Sequence, residues 1–297
     1  MTALRDRLFS SSLATGLLAR THFPRHVDLH CAVSGGADSL ALLLLACRTE
    51  ETVTAWHVDH GLRAGSADDF SLVQDVAISL GAAVRQRTVR VEPGPNVEAR
   101  ARDARFAVLP PEVLTGHTGD DQAETVLLNL LRGSGTAGLA GMRRQGHPLL
   151  GLRRHETRAL CQELGIRPFQ DPMNDDDRFQ RVRIRSEVLP LLRDVSKRDV
   201  VDVLTRQSEL LRDDDELLDE LAAMIDVTDA KALASAHPAL ARRAVRQWLA
   251  NPLPPNASTV EQVLAVARGE SVACDIGGGR RVRRSRQRLG LHETKVM

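Results

Sequence analysis

From residue 27 onward, short β-type runs alternate with stretches of helical apolar spacing. Val27 to Val33, Val53 to Val58, Val84 to Val91 and Val113 to Thr115 are the strand candidates, and Leu40 to Arg48, Asp68 to Leu80, Val97 to Leu109 and Asp121 to Arg132 are the helix candidates. This alternation leaves few solutions, because strands joined through helices run parallel and both faces of their sheet must be covered. The expected fold class is α/β, a Rossmann-like doubly wound parallel sheet. After about residue 195 the strand signal fades into a charged helical pattern from Arg198 to about Ile225, with Asp213, Asp214 and Asp215 within it. Helix candidates Pro238 to Ala250 and Thr259 to Arg268 follow, with Pro252, Pro254 and Pro255 breaking regular structure between them. Two domains are therefore expected, residues 1–195 and a smaller, mainly helical one over 196–297. The last stretch, Ser271 to His292, reads as short strands separated by Gly277, Gly278 and Gly279, with six arginines from Arg280 to Arg288.

Composition adds limits. Forty basic residues stand against 39 acidic ones, so affinity for a polyanion has to come from local patches and not from a global field. Cys31, Cys47, Cys161 and Cys274 lie far apart with no C-x-x-C spacing, as expected of reduced, buried thiols in a cytoplasmic protein. The longest apolar run, Leu40 to Cys47, is far too short to span a bilayer, and no membrane association is expected.

The most specific local feature is Ser34-Gly35-Gly36-Ala37-Asp38-Ser39, directly after the first strand and before a helix. Two glycines let the backbone turn sharply and approach a ligand, while the amides of the turn and of the helix N-terminus point at an anion. It is a phosphate cradle without the lysine of a Walker A loop. Asp38 would repel a polyphosphate unless Mg²⁺ lay between them, which makes it a candidate metal ligand.

Three further segments narrow the reading: His57-Val58-Asp59-His60-Gly61-Leu62-Arg63, Asn96-Val97-Glu98-Ala99-Arg100, and Gly116-His117-Thr118-Gly119-Asp120-Asp121-Gln122-Ala123-Glu124-Thr125. So do Arg132-Gly133-Ser134-Gly135, Leu139-Ala140-Gly141-Met142, Asp171-Pro172-Met173-Asn174 and Arg181-Val182-Arg183-Ile184-Arg185. In this order and spacing, over most of residues 27 to 195, the chain resembles the tRNA(Ile)-lysidine synthetases of the PP-loop ATP pyrophosphatase group. The resemblance implies a PP-loop ATPase-type sheet. It also implies a reaction in which ATP adenylates C2 of the wobble cytidine of the isoleucine tRNA with a CAU anticodon, after which the ε-amine of L-lysine displaces AMP.

Expected ATP contacts are Ser34, Gly35, Gly36, Ala37, Asp38, Ser39, His57, Asp59, Arg132 and Gly133, with Asp38 holding Mg²⁺. Asp38 and Arg105 are the expected catalytic residues; Arg102 and Arg105, one helical turn apart, can offset developing charge. Asp121 and Glu124, three apart at a helix start, share a face and are expected to hold the lysine substrate. Arg178, Arg181, Arg183 and Arg185, with Arg281 and Arg284 in the C-terminal tRNA-binding domain, are expected on tRNA phosphates. A homodimer is left open as a further partnership.

Other signals are weaker. Gly133-Ser134-Gly135-Thr136-Ala137-Gly138 spells G-x-G-x-x-G but follows a helical run, the reverse of a dinucleotide-binding turn. His57, Asp59 and His60 sit at a strand end, where alternation sends neighbours to opposite faces, so packing or nucleotide contact is favoured over a metal site. The family's usual Ala-Asp-Asp appears as Gly119-Asp120-Asp121, and its usual Arg-Asn-x-x-Arg as Arg181-Val182-Arg183-Ile184-Arg185, which puts Val182 where an amide is usual. The chain is also shorter than the longer family members, so a second C-terminal module is expected to be absent. The competing readings are a tRNA thiolase of the same ATP pyrophosphatase class and a nucleotide-binding module without turnover.

Overall fold

The first strand, β1 (Leu29–Ala32), carries alternately buried and half-buried residues and sits in the interior of a parallel sheet of order β1-β2-β3, with β2 at Val53–Asp59 and β3 at Ala83–Thr88. The computed structural model describes residues 2–59, 66–90, 97–169, 180–251 and 254–293. Chain direction is fixed by registers such as Leu29 opposite Val53 and Ala55 opposite Val84. On the free side of β1 a fourth segment joins by one parallel bridge, Cys31 to Leu114, with Leu114 N–H donating to His30 O at 2.7 Å and Ala32 N–H to Leu114 O at 2.8 Å. The chain thus builds outward from β1 to β3 and then returns to the other side of β1. That reversal creates a crevice at the carboxyl ends of β1 and the Leu114 segment, where open α/β sheets bind ligands.

Two helices precede the sheet, α1 (Thr2–Ser10) and α2 (Ser12–Leu18), contributing Leu8, Ala14 and Leu17 to the core. The helix after β1, α3 (Ala37–Ala46), is buried on all sides from Leu40 to Ala46, which explains why its sequence has no polar face. Then come α4 (Ser66–Leu80), α5 (Val97–Ala107), α6 (Gly119–Leu131), the single turn α7 (Thr136–Leu139) and α8 (Arg154–Glu163), which packs against α3. A short α9 (Gln180–Arg183) continues through a π turn, Ile184–Val188, into α10 (Leu189–Ser196), and Ile184, Leu189 and Val201 close a small core with Ala123 and Leu127 of α6.

The chain divides into two compact units, Met1–Glu209 and Leu210–Met297, with the division inside α11 (Val200–Ala223), whereas the sequence suggests a boundary between residues 195 and 196. The second unit holds α12 (Ala230–Ser235), α13 (Pro238–Trp248) and α14 (Ala257–Arg268), followed by an antiparallel sheet of β4 (Ala273–Gly277), β5 (Arg280–Ser285) and β6 (Arg288–Glu293). Val282 and Leu289 are the buried side chains of that sheet, packed with Val260, Val263 and Leu264 of α14. Among the described residues no helix is long and apolar enough to cross a membrane.

Candidate active site at the strand switch point

Val33 ends β1, and Ser34 begins a turn in which Gly35 takes φ +87, a backbone conformation that side chains disfavour. Gly36 caps α3 with extended backbone and no side-chain hydrogen bond, so the first helical amides are not satisfied by a cap. Ser39 Oγ steadies the turn, donating to Gly36 O at 2.9 Å and accepting from Ser34 N–H at 3.1 Å. The turn after Leu114 closes directly on it. A Cβ placed on Gly116 would lie 2.5 Å from the Asp38 carbonyl oxygen and 2.9 Å from Ser39 N, so only glycine admits this approach.

Asp38 projects from the first turn of α3, where Thr157 of α8 donates its hydroxyl to Oδ1 and Arg154 Nε lies 3.6 Å from Oδ2. Burial and the Asp121 carboxylate together push the Asp38 carboxyl up to about 6, against the opposing pull of Thr157 and Arg154. A carboxylate with this much cost to its charge is one that an added cation would relieve.

Arg154 is the hub of the acidic side. Its guanidinium donates to Asp121 Oδ1 at 2.7 Å and Glu124 Oε1 at 3.1 Å, and its backbone N–H donates to Asp120 Oδ2 at 2.8 Å. Burial works against its charge, but Asp121, Glu124 and Asp38 outweigh it and hold the guanidinium charged more firmly than usual. Asp121 also forms a capping box, its Oδ2 accepting from Thr118 N–H at 2.8 Å. Burial alone would raise its pKa; Arg154 holds it below the ordinary range. Glu124 is 0 % exposed and receives Arg185 Nε at 2.7 Å, with Arg181 Nε 3.8 Å away. The two expected lysine-binding carboxylates are therefore brought together, with arginines of this chain already seated on them.

The remaining expected site residues scatter. His57 is 3 % exposed beneath the turn, with Nδ1 2.9 Å from Val33 O and its ring against Phe70, which makes it a support for the turn. Asp59 ends β2 and accepts from Val89 N–H at 2.8 Å through its backbone carbonyl. Arg132 and Gly133 lie past the far end of α6, about 18 Å along its axis from Asp120. Arg105 is largely buried, and its Nε has no hydrogen-bond partner; burial and Arg102 hold its pKa below the usual value.

On the expected tRNA side, Arg181 donates to Thr125 Oγ1 at 2.8 Å and Arg183 forms two 3.0 Å bonds with Glu187, while Arg185 is committed to Glu124. Arg178, the Asp171 to Asn174 segment and His60 lie outside the described residues. In the second unit Arg281 faces solvent 3.2 Å from Asp275, but Arg284 turns inward and donates to the Ala267 carbonyl at 3.0 Å, closing the end of α14. Sequence reasoning passes over Arg153, Arg154, Thr157 and His147. The signal for Arg284 is present in strand alternation, since an inward Val282 places Arg284 on the same side; for Arg154 no local signal exists.

Cys31 and Cys161 are buried and Cys47 half-buried, and burial raises all three thiols, Cys47 and Cys161 to about 12. None is positioned as a thiolate.

A PP-loop domain family matches residues 12–192, and a TilS substrate binding domain family matches residues 229–290. The chain is 44% identical over 270 residues to the tRNA(Ile)-lysidine synthase of Nocardia farcinica, covering 84% of this chain and 85% of that one. It belongs to the tRNA(Ile)-lysidine synthase family. The Mycobacterium leprae synthase is 47% identical over 240 residues, 74% of each chain. Among solved structures, the U34-tRNA thiolase NcsA from Methanococcus maripaludis, with its [4Fe-4S] cluster, superposes with a TM-score of 0.54 over 70% of this chain and 80% of its own, at 16% identity. That likeness is one of fold. The PP-loop match takes in both turns of the switch point.

Proposed function

We propose that this synthase-family chain joins L-lysine to C2 of the wobble cytidine of an isoleucine tRNA with a CAU anticodon, consuming ATP and releasing AMP and diphosphate. The observation that supports it most is the contact of two turns at the switch point: an uncapped α3 N-terminus bearing Asp38, held against the Gly116 turn that leads into Asp121 and Glu124. One turn suits a polyphosphate and the other a cation, which are the charges of the two small substrates.

The polyphosphate of ATP would lie against the amides of the α3 N-terminus. The site fits Mg²⁺, because the Asp38 carboxyl, pushed up to about 6 by burial and Asp121, gains from an added cation, and this ion characteristically takes one or two carboxylates plus substrate phosphates. Asp38 would hold it, and the ion would offset phosphate charge. Arg105, a largely buried cation whose Nε has no hydrogen-bond partner, would offset the charge that develops as diphosphate leaves. Asp121 and Glu124 would hold the charged α-amino group of lysine once Arg154 or Arg185 yields its place, leaving the deprotonated ε-amine to attack the activated cytidine. The surface for tRNA includes the solvent side of β5, where Arg281 and Arg283 point outward.

Incubating the chain with ATP, L-lysine and total tRNA, and following AMP release and lysidine by mass spectrometry, tests this directly. A thiolase would instead modify tRNA without lysine, and the raised cysteine pKa values of this chain speak against that reading.

A further inference from the structure

Thr115, the residue after the bridging Leu114, presents Oγ1 to two imidazoles at once, 2.6 Å from His117 Nδ1 and 2.5 Å from His147 Nδ1. The rings stand edge to face with centroids 4.8 Å apart, and the segment before His147 is tied down because Thr115 N–H donates to Gly146 O at 3.0 Å. We infer that Thr115 and His147 act as positioning residues that fix the tautomer of His117, so that His117 meets the nucleotide as a neutral Nε2–H donor.

A hydroxyl carries one hydrogen, and the Gly146 carbonyl, 3.5 Å from Thr115 Oγ1, is too far to compete for it with the two ring nitrogens, so Thr115 donates to one Nδ1 and accepts N–H from the other. The two rings are thereby forced into opposite tautomers. Both are kept neutral by burial, His147 down to about 4 with Arg102 adding to the effect, and His117 lowered in the same direction. Which ring carries which tautomer follows from their neighbours. Around His147 the Arg102 guanidinium is the foremost charge and disfavours an outward N–H, while around His117 the foremost charge is the Asp121 carboxylate, which favours one. The order is His147 Nδ1–H to Thr115 Oγ1, then Thr115 O–H to His117 Nδ1, which leaves His117 with a proton on Nε2.

His117 follows Gly116, which touches the backbone of Asp38, so its backbone lies in the turn that closes on the cradle. A neutral imidazole donor suits an anion whose charge grows during reaction, because it stabilises without carrying charge into the ground state. The partnership resembles that of a metal-bound histidine and the carboxylate behind it, where the distant group decides which nitrogen is protonated.

The inference rests on the adenylating reading above, but the tautomers can be read without turnover. Long-range ¹H–¹⁵N spectra of histidine-labelled protein, assigned with His117→Gln and His147→Gln, should show His117 protonated on Nε2 and His147 on Nδ1. Thr115→Val should release His117 into mixed tautomers and lower kcat for AMP release roughly 10–100-fold with little change in KM for ATP, while Thr115→Ser retains both properties. His147→Asn, whose amide can still donate to Thr115, should rescue relative to His147→Phe. The opposite tautomer order, or an unchanged His117 spectrum in Thr115→Val, overturns the inference. If wild-type protein shows the stated tautomers but no adenylation of tRNA, the functional reading fails and the tautomer assignment stands.

Discussion

Arg185 Nε donates to Glu124 Oε1 at 2.7 Å, and that glutamate has no exposed surface. A charge so fully removed from water depends on its partners, and among the described residues Arg154 and the more distant Arg181 remain if Arg185 is lost. Arg185→Ala should lower the unfolding free energy by about 1.5–3 kcal/mol, the usual worth of a hydrogen bond to a charged group, seen as a lower urea midpoint with unchanged m-value. An unaltered midpoint would show that the pair contributes nothing.

Glu124→Gln keeps the shape and removes the charge. If lysine replaces an arginine on this carboxylate, KM for lysine should rise by at least about tenfold, while adenylation of tRNA in the absence of lysine stays measurable. A normal KM combined with lost stability would make Glu124 a structural anchor for three arginines and place the lysine pocket elsewhere.

Asp38 links pH to both stability and binding. Its carboxyl, raised from 3.8 to about 6 by burial and Asp121, holds its proton more tightly in the folded chain than in the unfolded one. Stability is therefore reduced above about pH 6 and recovers as pH falls toward 3.8. Asp38→Asn should be more stable than wild type at pH 7, with the difference closing by about pH 4, as measured by denaturant midpoints. The same variant should lose Mg²⁺-dependent ATP binding and diphosphate release. Wild-type MgATP affinity, followed by calorimetry, should weaken as pH drops through about 6.

Arg283 and Arg284 are neighbours with opposite duties. Arg283 points to solvent between the small residues Ala273 and Gly290 of the adjoining strands, while Arg284 bonds the end of α14. Arg283→Ala should reduce the slope of log tRNA affinity against log salt by about one, with stability unchanged. Arg284→Ala should cost stability instead, about 1 kcal/mol for a helix-end contact. Equal effects on the salt slope would refute the division.

Much of the first unit is legible in its residues alone. The run into Ser34 and the glycines after it identify a strand, a turn and a helix because backbone chemistry there is local, and the spacing from Leu40 to Arg48 reads as a helix. Depth and distance are not legible in the same way. His57 alternates correctly along β2, but nothing in its neighbours says that its ring is sealed under Val33. Arg154 reads as part of a polar stretch, and becomes the centre of four carboxylates only because α8 packs beside α3. Helices α1 and α2 are too short to announce themselves, and α8 carries three apolar residues in ten. Arg132 and Gly133 belong to a recognisable segment whose place in space is set by the length of α6.

The contact between Gly116 and the Asp38 carbonyl has a consequence for how such a chain can change over time. Side chains around the crevice can be exchanged one by one, altering charge or shape without moving the frame. The gap between the two turns cannot be adjusted in that way, because it is set by a single hydrogen atom where every other residue has a carbon. A methyl group at 116 would drive the phosphate-binding turn and the acidic helix apart together, so the spacing between nucleotide and amino acid behaves as a fixed gauge that substitution can break but not tune.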